Sequence, residues 1–101
     1  MPNKAQTSVK NETLLKAPRK YAVIMHNDEI TTMEFVVSVL IKVFHKAPTD
    51  AAKIMMQIHE SERGLAGVYT YDIAVTKKIQ ADQLSGINGF PLKLTVEVIE
   101  E

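Results

Sequence analysis

The stretch YAVIMHNDEITTMEF, residues 21–35, decides the fold because it changes from a strand pattern to a helix pattern across a few polar residues. Residues 21–25 form an apolar run long enough for one strand. Thr31 and Glu34 then have the spacing of a capping box, which predicts that a helix begins there. The acidic loop, residues 27–29, is therefore a tight connection between two rigid elements, where binding groups are often placed.

Two interpretations of this loop are open from the residues themselves. Asn27 and Asp28 are ordinary turn formers, and a turn needs nothing more from them. Glu29 adds a third polar side chain that the turn does not require. The loop is thus also a candidate binding site.

Composition limits the class of protein. The chain has 101 residues, which suits one domain, and 46% apolar residues, which suffice for a small core. It has no cysteine, and this excludes disulfides, thiolate metal sites and a cysteine nucleophile. No apolar run approaches the roughly 18 residues of a membrane helix, and no signal peptide begins the sequence, so we expect a cytoplasmic protein that binds no membrane.

Charge divides the chain into two parts. Residues 1–20 contain five basic residues and one acidic residue, whereas residues 21–101 contain seven basic and eleven acidic residues. An acidic body argues against a partner made of nucleic acid. Residues 1–18 are polar and have no periodicity, so we predict a flexible N-terminal extension followed by one domain over residues 19–101.

Periodicity predicts six elements. Residues 20–26 read as a strand, and apolar residues at helical spacing follow over 32–45 and 50–62. A second strand is indicated over 64–70, a third helix from Thr70 to Ser85-Gly86, and an alternating strand over 91–99. The order β-α-α-β-α-β predicts an α+β fold with two layers, in which three helices cover one face of a three-stranded antiparallel sheet.

The predicted helices bring the acidic loop and His59 to one rim, beside an apolar cleft. Hydrogen-bond acceptors on the rim suit a cation, and a cleft lined partly by methionine adapts to a large side chain. A peptide with a free N-terminus and a bulky first residue fits both halves. The residues that would line the cleft are Met33, Val36, Met55 and Ile58. The alternative is that these four residues are simply core.

Catalytic alternatives also remain open. The sequence has no Gly-rich phosphate loop, no HExxH motif and no serine at a strand-to-helix elbow. A small acid–base enzyme would use Asp28, Glu29 and His59, and a metal site would add His26. A ribosomal-stalk-like interaction domain is a further alternative, because that domain has a similar α+β build.

Five motifs at matching distances make residues 20–99 resemble the ClpS family. They are N-D-E-x-T-x-M-E-F-V at 27–36, the segment 52–59 from Ala52 through Met55 to His59, G-V-Y-T at 67–70, A-x-T-K at 74–77 and P-L at 91–92. This family consists of bacterial and plastid adaptors that deliver N-degron substrates to the Clp AAA+ protease. The resemblance implies a protein that is not an enzyme, needs no cofactor or metal, and binds a ClpA- or ClpC-like ATPase together with substrates that begin with Leu, Phe, Tyr or Trp.

The resemblance also implies a role for each matching position. The residues implied to bind the substrate α-amino group are Asn27, Asp28 and His59, with Glu29 as the neighbouring acidic residue. The residues implied to form the hydrophobic pocket are Thr31, Met33, Val36, Met55, Ile58 and Leu92, with Met33 as the gate against β-branched side chains. The positions implied to dock on the ATPase are Asp72, Val75 and Lys77.

The chain departs from the family pattern at several of these positions. Glu29 stands where the family usually has a second aspartate, which moves the carboxylate outward by one methylene. Val75 replaces a common glutamate within the implied docking surface, and Phe90 replaces a common histidine before Pro91. The change at Val75 weakens the inference about which ATPase is the partner more than it affects amine recognition.

Overall fold

The computed structural model describes residues 18–100, and these form three strands and three helices. The elements are β1 Tyr21–His26, α1 Met33–Lys42, α2 Pro48–Ser61, β2 Arg63–Tyr69, α3 Tyr71–Ile87 and β3 Lys93–Val98. This order confirms the predicted β-α-α-β-α-β arrangement and its α+β class. The extension predicted for residues 1–18 lies outside the described residues, apart from its last residue.

The central strand of the sheet is β1, which pairs with both neighbours in the antiparallel sense. The strand order is β2-β1-β3. His26, the last residue of β1, lies opposite Arg63 at the start of β2 and opposite Lys93 at the start of β3. We call this the His26 end of the sheet. The segments that leave β1 and enter β2 and β3 all meet there.

The helices pack on the face of β1 that carries Val23 and Met25. Both side chains are fully buried, and they join Val39 and Leu40 of α1 in the core. Alternation along the strand places Ala22, Ile24 and His26 on the opposite face of the sheet. Among residues 18–100, no helix is both long and apolar enough to cross a membrane.

The predicted start of the first helix is wrong by one residue. Thr32, not Thr31, is the N-cap, and its hydroxyl oxygen accepts a hydrogen bond of 3.1 Å from the backbone N–H of Phe35. The hydroxyl of Thr31 instead donates to the carboxylate of Asp28. Thr31 therefore stabilises the loop, and Thr32 caps the helix.

The third helix also extends further than predicted, because Ser85 and Gly86 do not end it. Ser85 is buried, and its hydroxyl donates to the carbonyl oxygen of Ala81 within the same helix. The helix ends at Ile87, and the side-chain amide of the following residue, Asn88, donates to the carbonyl oxygen of Leu84.

Two glycines of β2 sit where a side chain would collide with a neighbour. A methyl group on Gly67 would lie 2.6 Å from ring atoms of Tyr69, so the tyrosine ring occupies the space that a side chain would need. A methyl group on Gly64 would lie 2.7 Å from Cγ1 of Ile58 and 3.4 Å from the carbonyl oxygen of Ile54, both on α2. Gly64 therefore sets how closely α2 packs on the sheet.

Replacing Gly64 with alanine should lower the free energy of unfolding by about 1–3 kcal/mol, the usual cost of overpacking a core. Gly86→Ala is the matched control, since nothing lies within 4 Å of the added methyl group. Gly86 lies in the last turn of α3, where glycine costs less than in a helix interior, so that change should leave the free energy of unfolding within about 0.5 kcal/mol of the wild type. Urea unfolding of both variants measures the difference, and equal effects would contradict this account of the packing.

Candidate functional site

Three distant segments converge at the His26 end of the sheet. The loop of residues 27–32 leaves β1 there, the last turn of α2 with His59 runs into β2 there, and residues 91–92 lead into β3. The backbone N–H of Asn27 donates to the carbonyl oxygen of Glu62 at 2.9 Å, which fastens the loop to the end of α2. Strand register therefore brings the acidic loop to the end of α2 that carries His59.

Asp28 organises the loop through both of its carboxylate oxygens. Oδ1 accepts from the backbone N–H groups of Ile30 at 2.8 Å and Thr31 at 2.6 Å, and Oδ2 accepts from the Thr31 hydroxyl at 2.7 Å. A carboxylate that bonds to the N–H groups two and three residues ahead fixes the shape of a turn. Each carboxylate oxygen carries two lone pairs, so Asp28 keeps acceptor capacity for a ligand.

The pKa of Asp28 reflects these contacts. Partial burial alone would raise it, but the hydrogen bonds from Thr31 and Ile30 favour the ionised form and together lower the pKa below its ordinary value of 3.8. Asp28 is therefore a fixed negative charge at neutral pH. It is a weak general base, because an efficient base has a pKa close to the working pH.

The other residues predicted to bind the amine are Asn27 and Glu29, which flank Asp28 in the chain, and His59 in the last turn of α2. Asn27 is half-buried, and its Nδ2 group donates to Oε2 of Glu62 at 3.4 Å. Glu29 is exposed, and so is His59 in the last turn of α2. The C-terminal end of α2 adds a partial negative charge near the loop, since helix dipoles point that way. The charges of Asp28, Glu29 and the end of α2 favour a cation at this place.

The six residues predicted for the pocket fall into two groups. Val36, Ile58 and Leu92 are core residues with 2–6% of their surface exposed, and Met55 packs against the same cluster. Thr31 is half-buried, and Met33 in the first turn of α1 is 41% exposed. The structure thus brings four of the six together in the core and leaves Met33 at the surface.

His26 does not join the predicted metal ligands. Its Nε2 atom lies 2.8 Å from the hydroxyl oxygen of Thr95, on the sheet face opposite Val23 and Met25. Partial burial, together with the positive charges of Lys93 and Arg63, lowers the pKa of His26, while Glu97 opposes the shift. Within residues 18–100, no three His, Asp or Glu side chains are grouped closely enough to hold a metal ion.

The residues predicted to dock on an ATPase lie on α3. Asp72 is exposed in its first turn, and Val75 is half-buried. The ammonium group of Lys77 donates at 2.8 Å to the carbonyl oxygen of Val43, the C-cap residue that follows α1. Lys77 therefore fastens α3 to the C-terminal end of α1.

Sequence reasoning missed two residues that shape the loop. The hydroxyl of Thr31 donates to Asp28. The one clue in the sequence was that two threonines stand side by side, since a helix needs only one of them, here Thr32, as its N-cap. Glu62 holds Asn27, and nothing in its local pattern indicated this, because the contact spans 35 residues and depends on strand register.

A protein-family model described as "ATP-dependent Clp protease adaptor protein ClpS" matches residues 16–95 of the chain. The ClpS adapter of Clostridium acetobutylicum is 48% identical over 89 residues, which cover 88% of each chain. The ClpS adapter of Myxococcus xanthus is 51% identical over 83 residues, which cover 82% of this chain and 78% of the relative.

A solved structure of a ClpS protein is also similar to this chain. ClpS2 of Agrobacterium tumefaciens, bound to L-phenylalaninamide, superposes with a TM-score of 0.79 at 36% sequence identity. The match covers 82% of this chain and all of the ClpS2 chain. The two chains therefore share the same fold.

Removing the Thr31 hydroxyl by Thr31→Val should raise the pKa of Asp28 toward 3.8, because one of its three hydrogen bonds is lost. Because the pKa of Asp28 is lower in the folded than in the unfolded chain, ionised Asp28 stabilises the fold at any pH above the pKa of the unfolded chain. This stabilisation is lost as the pH falls through the pKa of the folded chain. NMR titration of the Asp28 carboxyl carbon measures the shift. An unchanged pKa would mean that the hydroxyl does not hold the carboxylate.

Proposed function

Because the chain belongs to the ClpS family of Clp protease adaptors, we propose that it binds the free α-amino group and bulky first side chain of N-degron substrates and delivers them to a Clp ATPase–protease in the cytoplasm. The observation that carries this proposal is the preorganised carboxylate of Asp28 at the His26 end of the sheet. The family is one of adaptors, and the proposal involves no catalytic step.

The chemistry of a protein N-terminus fits this end of the molecule. A free α-amino group has a pKa of about 7.7–8.0, so it is largely cationic at neutral pH and needs acceptors when it leaves water. Asp28, Asn27 and the C-terminal end of α2 supply a charge, an amide oxygen and aligned carbonyl groups. His59 is the proposed additional hydrogen-bonding group, and Glu29 adds long-range attraction.

The first side chain of the substrate is proposed to contact the apolar residues beside the loop. Val36, Ile58 and Leu92 would form the floor, and the exposed thioether of Met33 would form the rim. The ligand of the Agrobacterium relative, L-phenylalaninamide, carries a free amine and a bulky aromatic side chain. This supports a substrate that begins with Phe, Leu, Tyr or Trp.

Delivery requires a second surface, which we propose on α3. Asp72 and Val75 are the proposed contacts with the ATPase. The ammonium group of Lys77 already donates to Val43, so in this proposal Lys77 contributes mainly by holding α3 and α1 in place. A ClpA-like or ClpC-like ATPase is the proposed partner.

The proposed function predicts that Asp28→Asn weakens binding of a peptide beginning with Leu by at least about tenfold. Asparagine keeps an oxygen for the Ile30 and Thr31 N–H groups but loses the charge, and hydrogen bonds to charged groups are worth about 1.5–3 kcal/mol. Asp50→Asn, in the exposed first turn of α2, is the chemical control. Fluorescence anisotropy measures both affinities, and equal affinity in the two variants would remove Asp28 from the site.

Met33→Ala should improve binding of peptides that begin with Val or Ile relative to those that begin with Leu. An unbranched thioether moves aside for Leu or Phe but crowds a second substituent on the β-carbon. Since Met33 is 41% exposed, the variant should lose less stability than the roughly 2–5 kcal/mol typical of core Met→Ala changes. A full core penalty with unchanged peptide preference would show that Met33 is a packing residue and not a gate.

A further inference from the structure

Glu62 adopts a backbone conformation that is costly for its residue type. It follows the last residue of α2 with φ 71° and ψ −12°, in the left-handed region. Helices commonly end with such a residue, but it is usually glycine, because a Cβ atom clashes with the backbone there. Strained positions of this kind are often found at functional sites.

The side chain of Glu62 is directed at the candidate site. Its Oε2 atom accepts from Nδ2 of Asn27 at 3.4 Å, and its backbone carbonyl oxygen accepts from the Asn27 N–H at 2.9 Å. A glycine would keep the second contact and lose the first. Within residues 18–100, the hydrogen bond to the Asn27 amide is therefore what the glutamate side chain adds.

This contact determines which way the Asn27 amide faces. A carboxylate accepts hydrogen bonds and donates none, so only the NH2 group of the amide can face it. The carbonyl oxygen Oδ1 of Asn27 is then turned away from Glu62. Without the carboxylate, the amide is free to turn its NH2 group toward the site, where it would repel a cationic amine.

We propose that Glu62 is a positioning residue, which orients the Asn27 amide so that its oxygen accepts a hydrogen bond from the substrate α-amino group. This inference rests on the proposed function, and it adds a residue that does not itself touch the substrate. It also explains why a strained glutamate occupies a place where glycine would be less costly.

Glu62→Gly should make the domain more stable and the binding weaker. Relief of the strained backbone outweighs the added freedom of the unfolded chain, so the melting temperature should rise by about 2–4 °C. Affinity for a peptide beginning with Leu should fall by about 3- to 10-fold, the equivalent of one hydrogen bond. Glu62→Gln presents an amide that can either accept from or donate to the Asn27 side chain, so it fixes the orientation only partly, and its affinity should lie between those of the wild type and Glu62→Gly.

His45→Gly is the matched control for backbone strain. His45 also has a positive φ, 55°, but it lies in the connection between α1 and α2, beyond the end of α1 that is remote from the loop. His45→Gly should likewise raise the melting temperature, with unchanged peptide affinity. A loss of affinity in His45→Gly equal to that in Glu62→Gly would show that the effect comes from the backbone and would overturn the proposal.

A double-mutant cycle isolates the role of Asn27. In an Asn27→Ala background the added change Glu62→Gly should not alter affinity, because no amide is left to orient. An equal loss in both backgrounds, or wild-type affinity in Glu62→Gly alone, would overturn the proposal. If Asp28→Asn also leaves affinity unchanged, the proposed function fails; if only the Glu62 variants are silent, this inference fails alone.

Discussion

The antiparallel pairing of β1 with both of its neighbours is the constraint on which the site depends. Because His26 lies opposite both Arg63 and Lys93, the loop after β1, the end of α2 and the segment before β3 must meet at one end of the sheet. If a neighbouring strand were parallel to β1, the segment that precedes it would lie at the other end of the sheet, beside Tyr21. Residues as distant as Asn27 and Glu62 become neighbours for this reason alone.

Asp28 combines two tasks in one carboxylate. The hydrogen bonds from Ile30 and Thr31 shape the loop, and the same bonds keep the group ionised by lowering its pKa. A preorganised anion loses little entropy when a cation binds, which improves affinity without further contacts. The property that suits Asp28 to hold a charged amine also makes it a weak base, so the geometry favours binding over acid–base catalysis.

The sequence was sufficient to predict the order of the elements, because β1, β3 and the first two helices have clear periodicity. The third helix is less clearly amphipathic, and its end was predicted too early. It was insufficient where two similar residues compete for one role. Thr31 and Thr32 both cap helices well, and only the position of the Asp28 carboxylate decides between them. Met33 and Val36 match one apolar face, yet one is 41% and the other 6% exposed, a difference set by neighbouring elements.

The most direct test of the central claim compares two peptides that differ only at the N-terminus. Both begin with Leu or Phe, and one has its α-amino group acetylated, which removes the positive charge and keeps the side chain. Calorimetric titration of the full chain should give binding for the free amine and none for the acetylated peptide. Equal affinity for the two would contradict the claim that the carboxylate of Asp28 and its neighbours recognise a protein N-terminus.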